Sequence, residues 1–267
     1  MESMTTSPCH FAPTVSTEQF IPEHMFIYLK AGSMTMYDGN KEYKIQSGDY
    51  CLVRRNYLAK YTKRPPENGK FSTVGVSLDQ AFLRSISAEF PPAAKKETAV
   101  GNDALLKLPA NPLFDVYVQT LGPYLEMRGR EYDDILLLKK KELVLMLLKT
   151  HPELRPVLFD VNDPGKIDLE AFMNKHYKFN VSMKRFSYLT GRSLTTFKRD
   201  FEKIFHQAPG RWLLERRLRE AHFMLEKRKM KPSDVYLELG FEDLSHFSYA
   251  FKKMYGITPN QLKKEGI

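Results

Sequence analysis

Leu239-Gly-Phe-Glu-Asp-Leu-Ser-His-Phe-Ser-Tyr-Ala-Phe-Lys-Lys-Met-Tyr-Gly-Ile-Thr-Pro259 decides the fold, because the chain carries this pattern twice. Fifty residues upstream stands Leu189-Thr-Gly-Arg-Ser-Leu-Thr-Thr-Phe-Lys-Arg-Asp-Phe-Glu-Lys-Ile-Phe-His-Gln-Ala-Pro209. Phe186 falls on Tyr236, Leu189 on Leu239, Ser193 on Asp243 and Phe197 on Phe247. Phe201, Lys203, Phe205 and Pro209 fall on Phe251, Lys253, Tyr255 and Pro259. Aromatic positions, helix starters and terminators therefore keep one register. Two copies of a helix-turn-helix unit account for this, whereas a stacked solenoid needs three or more repeats.

The punctuation around the repeat marks helices. Asp168 or a neighbour opens the first, and Ser182 caps a second that runs through Leu189. Thr190-Gly191 is a tight turn, and Ser193 caps a third helix through Phe205. Pro209 sits where a first-turn proline belongs, opening a long helix over 209–229 that joins the two units. Ser233 is expected to cap the next helix, ending at Gly240, and Asp243 the last, ending before Gly256.

In the third helix the 3.6-residue period puts Leu194, Phe197, Phe201, Ile204 and Phe205 on one face, the core side. Thr195, Lys198, Arg199 and Glu202 share the other face, beside Thr196. The equivalent helix turns Leu244, Phe247, Phe251 and Tyr255 inward and Ser245, Ser248, Tyr249 and Lys252 outward, with His246 off the centre of that face. Small hydroxyls near a helix start, followed by a base, suit a recognition helix whose first turns enter the major groove. Arg199 has the fork to bond guanine O6 and N7 with both arms, and Lys198 reaches bases or phosphate. For each of these residues the competing reading is a solvated helix face.

Charge separates the halves. The 267-residue chain has a net charge of +9, yet residues 1–164 carry 20 basic and 20 acidic side chains. Residues 165–267 carry 21 basic and 12 acidic ones, so the whole excess lies with the repeat. A neutral domain joined to a basic one is the electrostatic footprint of a nucleic-acid reader with a separate partner. Cys9 and Cys51 are the only cysteines, so neither a disulfide framework nor a CxxC metal site is expected. The start, MESMTTSPCHFAP, lacks the pattern of a signal peptide. The most apolar run, Ile135–Leu148, is interrupted by Lys139, Lys140, Lys141 and Glu142, so no membrane span is expected.

From Phe20 to about Leu78 the texture is that of strands. Met25–Leu29 is a short apolar run, and Met34, Met36, Tyr43 and Ile45 alternate with polar residues. Asp38-Gly39 between them signals a hairpin, since a type I′ turn needs positive φ at its centre. Ser47-Gly48-Asp49 is another turn before Tyr50–Val53, and Val74, Val76 and Leu78 share one side of a further strand. Short strands at this spacing point to a small barrel or sandwich. Two helices follow. One carries Leu113, Val116, Tyr117, Leu121, Tyr124 and Leu125 at helical steps. The other, Tyr132–Lys149, has an apolar stripe of Leu136, Leu143 and Leu147. Residues 151–165, rich in proline, read as a linker.

Ser193–Phe201 with Pro209, and still more Leu239–Pro259, closely resemble the AraC/XylS family of bacterial transcription regulators, over about 167–264. The resemblance implies two helix-turn-helix units on a rigid linking helix, entering successive major-groove segments about 34 Å apart. By position, Thr195, Lys198 and Arg199 match the base-reading residues of the first unit, and Ser245, Ser248 and Tyr249 those of the second. Where the family commonly has an arginine this sequence has Tyr249, which cannot make a bidentate guanine contact. The first unit is therefore expected to supply most of the discrimination. Glu18-Gln-Phe-Ile-Pro-Glu-His24, Tyr37-Asp-Gly-Asn-Lys-Glu-Tyr43 and Gly48-Asp-Tyr-Cys-Leu-Val-Arg-Arg55 resemble the cupin-like sensor domain of the family's ExsA-type branch. In the family such domains bind an effector molecule or a regulatory protein and often dimerise through a helix, which Tyr132–Lys149 matches by location.

The expected architecture is thus α+β in two domains. Residues 1–150 form a cupin-like β-barrel with a helical dimerisation element, 151–165 a linker, and 166–267 an all-α domain of two helix-turn-helix units. The resemblance implies double-stranded DNA as partner, a homodimer, contact with RNA polymerase, and an effector or regulatory protein of unknown identity, all in the bacterial cytoplasm on the nucleoid. No cofactor, metal or catalytic residue is expected, and activation is the family's commoner role. The competing reading is a cupin metalloenzyme domain fused to a DNA reader. It requires several His or carboxylate ligands around one ion. Only His24 lies in the β region, with His10 upstream, and neither a phosphate loop nor a G-x-S-x-G elbow occurs.

Overall fold

Strand β3 (His24–Ala31) is buried on both sides, and this sets the plan of the N-terminal half. Its alternate residues belong to different cores: Phe26 and Tyr28 to one, Ile27 and Leu29 to the other. The computed structural model describes residues 4–6, 19–90, 101–126, 132–160 and 162–265. His10 and Cys9 lie outside these residues, as does the side chain of Leu125.

Besides β3, the strands are β1 (Met4–Thr6), β2 (Phe20–Ile21), β4 (Ser33–Tyr37), β5 (Glu42–Gln46), β6 (Tyr50–Val53), β7 (Tyr57–Leu58), β8 (Lys60–Arg64), β9 (Ser72–Leu78) and β10 (Leu105–Leu108). They make a five-stranded sheet in the order β1-β9-β3-β6-β10, a three-stranded sheet β5-β4-β8 and the pair β2-β7, with antiparallel pairing throughout. Helix α1 (Gln80–Ile86) follows β9, and α2 (Pro112–Glu126) and α3 (Asp133–Thr150) follow β10.

Of the barrel or sandwich expected, no closed barrel forms among the described strands, which fall into separate sheets. Three layers stack instead. Met34, Met36, Tyr43 and Ile45 of the small sheet pack on Ile27, Leu29, Cys51 and Val53 of the large one. The large sheet's other face, with Phe26, Leu52, Val74 and Val76, meets Phe114, Tyr117, Leu121, Leu143, Val144 and Leu147 of α2 and α3. A sheet covered on both faces reads as continuous apolar runs, which is why all four residues of β6 are buried. Asp38-Gly39 does mark the β4–β5 hairpin, although the loop is longer than a type I′ turn. Tyr37 pairs with Glu42, and the Asp38 carboxylate accepts hydrogen bonds from the Asn40 and Lys41 amides at 2.8 and 2.7 Å. Helix α2 turns Phe114, not Leu113 or Val116, into the core, and those two are exposed.

The segment expected to be a linker is partly structured. A 3-10 turn, Pro152–Leu154, runs into α4 (Arg155–Leu158), and Leu154 and Leu158 complete the helix-side core. Arg55 then donates to the Asp160 and Asn162 carbonyls at 2.6 and 2.7 Å, tying the chain down as it leaves.

The C-terminal half is all helix: α5 (Leu169–His176), α6 (Met183–Leu189), α7 (Leu194–Phe205), α8 (Pro209–Glu226), α9 (Pro232–Glu238), α10 (Leu244–Tyr255) and α11 (Pro259–Glu265). It has two cores. One joins Leu169, Met173, Phe186, Leu189, Phe197, Phe201 and Leu213; the other joins Leu218, Ala221, Met224, Leu225, Val235, Leu239, Phe247 and Phe251. Helix α8 contributes to both, so it is the beam between the units. The N-terminal half closes the first of these cores with Phe20 and Leu58. Gln19 accepts a hydrogen bond from the Asn180 amide at 2.6 Å beside it.

Candidate nucleic-acid interface

The two candidate recognition helices are built alike. Helices α7 and α10 each span 12 residues, fifty apart. Ser193 Oγ accepts from the Thr196 amide at 3.2 Å, and an Asp243 carboxylate oxygen from the His246 amide at 2.6 Å. Each cap satisfies an amide that the first helical turn leaves open. Asp168 and Ser182 cap α5 and α6 in the same way, as expected. Ser233 does not cap α9. Lys231 takes that place because Pro232 occupies the first helical position, where its fixed φ and missing N–H cost nothing. Helix α8 stops at Glu226 rather than 229. Past the recognition helices, His206 (φ 52°) and Gly256 (φ 78°) both turn left-handed before Pro209 and Pro259 start new helices.

Phe197, Phe201, Phe247 and Phe251 are fully buried, so the aromatic stripe fixes the rotation of both helices. Truncating such a ring typically costs about 3–5 kcal/mol. Leu194, Ile204 and Leu244, expected inward, are instead exposed. Leu194 and Leu244 are the first residues of their helices and lie past the end of the packed stripe.

On the opposite face Thr195, Lys198, Arg199, Ser245, His246, Tyr249 and Lys252 are exposed, while Thr196 and Ser248 are half-buried. The Thr196 hydroxyl also accepts from Ser193 Oγ at 3.0 Å. The His246 ring tilts against Phe241 at 6.1 Å. Tyr249 is 69% exposed.

One device escaped the sequence reading. Arg192, in the turn before α7, donates to Asp200 on that helix at 3.2 Å and to the Thr190 and Ile167 carbonyls at 2.7 and 3.0 Å. It pins the turn and the approach to α5 against the recognition helix. The Asp200 carboxyl is held below its usual range by Arg192 first, then by Arg199 and Lys166. Arg199 approaches Asp200 at 3.4 Å while its side chain stays in solvent. The repeat hides this pair, because its counterparts are Glu242 and Ala250. A cleft of about 570 Å³ lies beside α6, lined by Ser182, Lys184, Arg185 and Tyr188 together with Glu242 of the second unit.

Comparison with known proteins places both halves. Residues 24–157 match a model of the ExsA N-terminal regulatory domain, and residues 187–265 match a helix-turn-helix domain model. The chain belongs to the AraC/XylS family of transcriptional regulators. It is 26% identical to the regulator ExsA of Pseudomonas aeruginosa, covering 96% of this chain and 91% of that one. It is 24% identical to the thermoregulatory protein LcrF of Yersinia pestis, covering 94% and 92%. Among solved structures it is similar to ToxT of Vibrio cholerae, at 14% identity over 98% and 97% of the chains, with a TM-score of 0.46. All nine candidate side chains lie inside the helix-turn-helix match of this AraC-type regulator. Among the described residues, no helix is long and apolar enough to cross a membrane, and no three His, Cys, Asp or Glu stand together to hold a metal.

Proposed function

We propose that this AraC-type regulator activates transcription by reading a bipartite operator with α7 and α10. In this reading Thr195, Thr196, Lys198 and Arg199 contact the first half-site, and Ser245, His246, Ser248, Tyr249 and Lys252 the second. Arg199 reads a guanine, while Tyr249 and Lys252 meet the sugar-phosphate backbone. The carrying observation is the recurrence, at a constant offset of fifty residues, of two capped helices with buried aromatic stripes and exposed polar faces on one beam. Activation is favoured by relatives at 24% identity, the VirF proteins of Yersinia enterocolitica, which are named virulence regulon transcriptional activators.

The N-terminal domain, about 1–150, is the input. The space between its two sheets is occupied by Met34, Met36, Tyr43, Ile45 and Cys51, all buried. A filled interior favours a protein signal over a small effector. Leu113 and Val116 of α2 and Leu137, Leu138 and Leu145 of α3 are exposed apolar side chains, with Leu138 at 66%. They supply the face through which the homodimer forms. The protein acts in the bacterial cytoplasm on the nucleoid, with RNA polymerase as its downstream partner.

Selection of the full-length chain on a randomised double-stranded DNA pool tests the reading. The full chain is the right material, since Phe20 and Leu58 belong to the first reader's core. Enrichment of a two-part motif about one helical turn apart supports it. Recovery of unrelated sequences, with binding lost in moderate salt, refutes it.

A further inference from the structure

Arg217 lies midway along α8, where the beam passes from one core to the other, and it is 8% exposed. Its guanidinium makes three hydrogen bonds, all to backbone carbonyls. Nε donates to Tyr177 at 2.7 Å and Nη2 to Phe179 at 2.8 Å, both in the first unit's loop after α5. Nη1 donates to Gly240 at 2.9 Å, in the second unit's turn just before α10. One planar group thus binds both readers at once. Burial lowers its pKa only to about 10, so it stays charged at neutral pH.

The joint is tight on its other side too. Gly240 has a φ of +74°, and a Cβ placed there would sit 2.5 Å from the Lys178 carbonyl and 3.2 Å from Arg217 Nη2. The second unit's turn therefore rests directly on the first unit's loop. Lys178 reaches Glu220 and Glu238 at 3.4 and 3.6 Å across the same seam.

We infer that Arg217 is a positioning residue that fixes the spacing and mutual rotation of the two recognition helices. It holds Gly240, three residues before the Asp243 cap, against the first unit. That setting determines which separation of half-sites both helices reach together. The linkage of two readers contributes about 10²- to 10⁴-fold in affinity, and only when geometry lets both engage. The inference rests on the reading of α7 and α10 as paired readers.

The test measures full-length protein on three DNA sets: the selected bipartite operator, operators with either half scrambled, and operators lengthened or shortened between the halves. Wild type should show one preferred spacing. Arg217→Met should bind each single half within about 2-fold of wild type, bind the bipartite operator about 10-fold or more weakly, and lose the spacing preference. Arg217→Lys, which keeps the charge but not the three-way fork, should show the same pattern and carries the test where Arg217→Met does not fold. An unchanged spacing profile in the folded variants overturns the inference. So does an equal loss on single halves, which makes Arg217 a support of the fold alone. Wild type gaining nothing from a second half refutes the paired reading itself, and the inference with it.

Discussion

Arg199→Ala separates base reading from general attraction. In the free protein the Arg199 side chain is 65% exposed, and Asp200 approaches it at 3.4 Å. Asp200 keeps Arg192 at 3.2 Å and Lys166 at 3.8 Å after the change, so no charge is stranded. Surface substitutions of this kind stay within about 0.5 kcal/mol of wild-type stability, and the melting curve should hardly move. On DNA the loss is that of a bidentate guanine contact, about 1–3 kcal/mol, or about 5- to 150-fold in Kd. Fluorescence anisotropy at one fixed salt concentration reads this on the selected operator and on variants substituted at each base pair. Preference should vanish at one position of the first half-site and persist elsewhere. Lys252→Ala is the control, weakening all sequences alike and reducing the salt slope by about 1. Wild-type affinity and an unchanged base profile in Arg199→Ala would refute the assignment.

Tyr249→Arg should create a guanine preference in the second half-site where wild type is tolerant, read by repeating the selection. Gly256→Ala should destabilise by about 1 kcal/mol, since an L-residue pays roughly that in the left-handed region, while His206→Gly at the matching position should stabilise by a comparable amount; thermal melts decide both. Burial holds the Lys60 amine down at about 7, against 10.5 when exposed, with Glu238 opposing and Arg217 and Lys178 reinforcing the shift. The docked amine is neutral across that interval while an undocked one is protonated, so contact between the halves should strengthen from about pH 7 to 10.5 and be insensitive to Lys60 below it. Proteolysis between the halves should slow over that range in wild type, and Lys60→Met should lose this dependence.

The readers were legible because their determinants are local. Ser182, Ser193 and Asp243 cap as the sequence indicates, and Phe197, Phe201, Phe247 and Phe251 are core as the period requires. Ser233 misled because a hydroxyl is a good cap in isolation, whereas Pro232 had already fixed the helix start. The layered N-terminal half was harder. Tyr50–Val53 reads the same whether its strand closes a barrel or lies between a sheet and two helices, and the choice rests on pairings such as Met25 with Val53 and Leu105 with Val53. In α2 the apolar residues span more than half of the helix circumference, so the sequence alone does not choose between Leu113 and Val116 on one edge of that arc and Phe114 nearer its middle. Arg192 and Arg217 act on backbone carbonyls far along the chain, which no periodicity encodes.

The two units are equivalent in pattern but not in what covers them. In the first, the loop before α6 lies beneath the N-terminal half: the Asn180 amide donates to Gln19, Phe179 stacks on Tyr37 at 6.2 Å, and Lys60 lies over the Phe179 ring at 5.5 Å. The matching loop before α9 exposes Lys227, Arg228, Lys229 and Lys231 to solvent. Lys60 also donates to the Glu238 carbonyl at the end of α9, two residues from Gly240. The N-terminal half therefore touches the first reader and the seam between readers, while the second reader's basic loop stays open to a polyanion. A signal that shifted the N-terminal half would act on Phe179, whose carbonyl accepts from Arg217, and on Glu238, two residues before Gly240. If α7 and α10 read paired half-sites as proposed, such a signal should change half-site spacing before base preference, because none of the nine candidate side chains is among the described residues that make the seam.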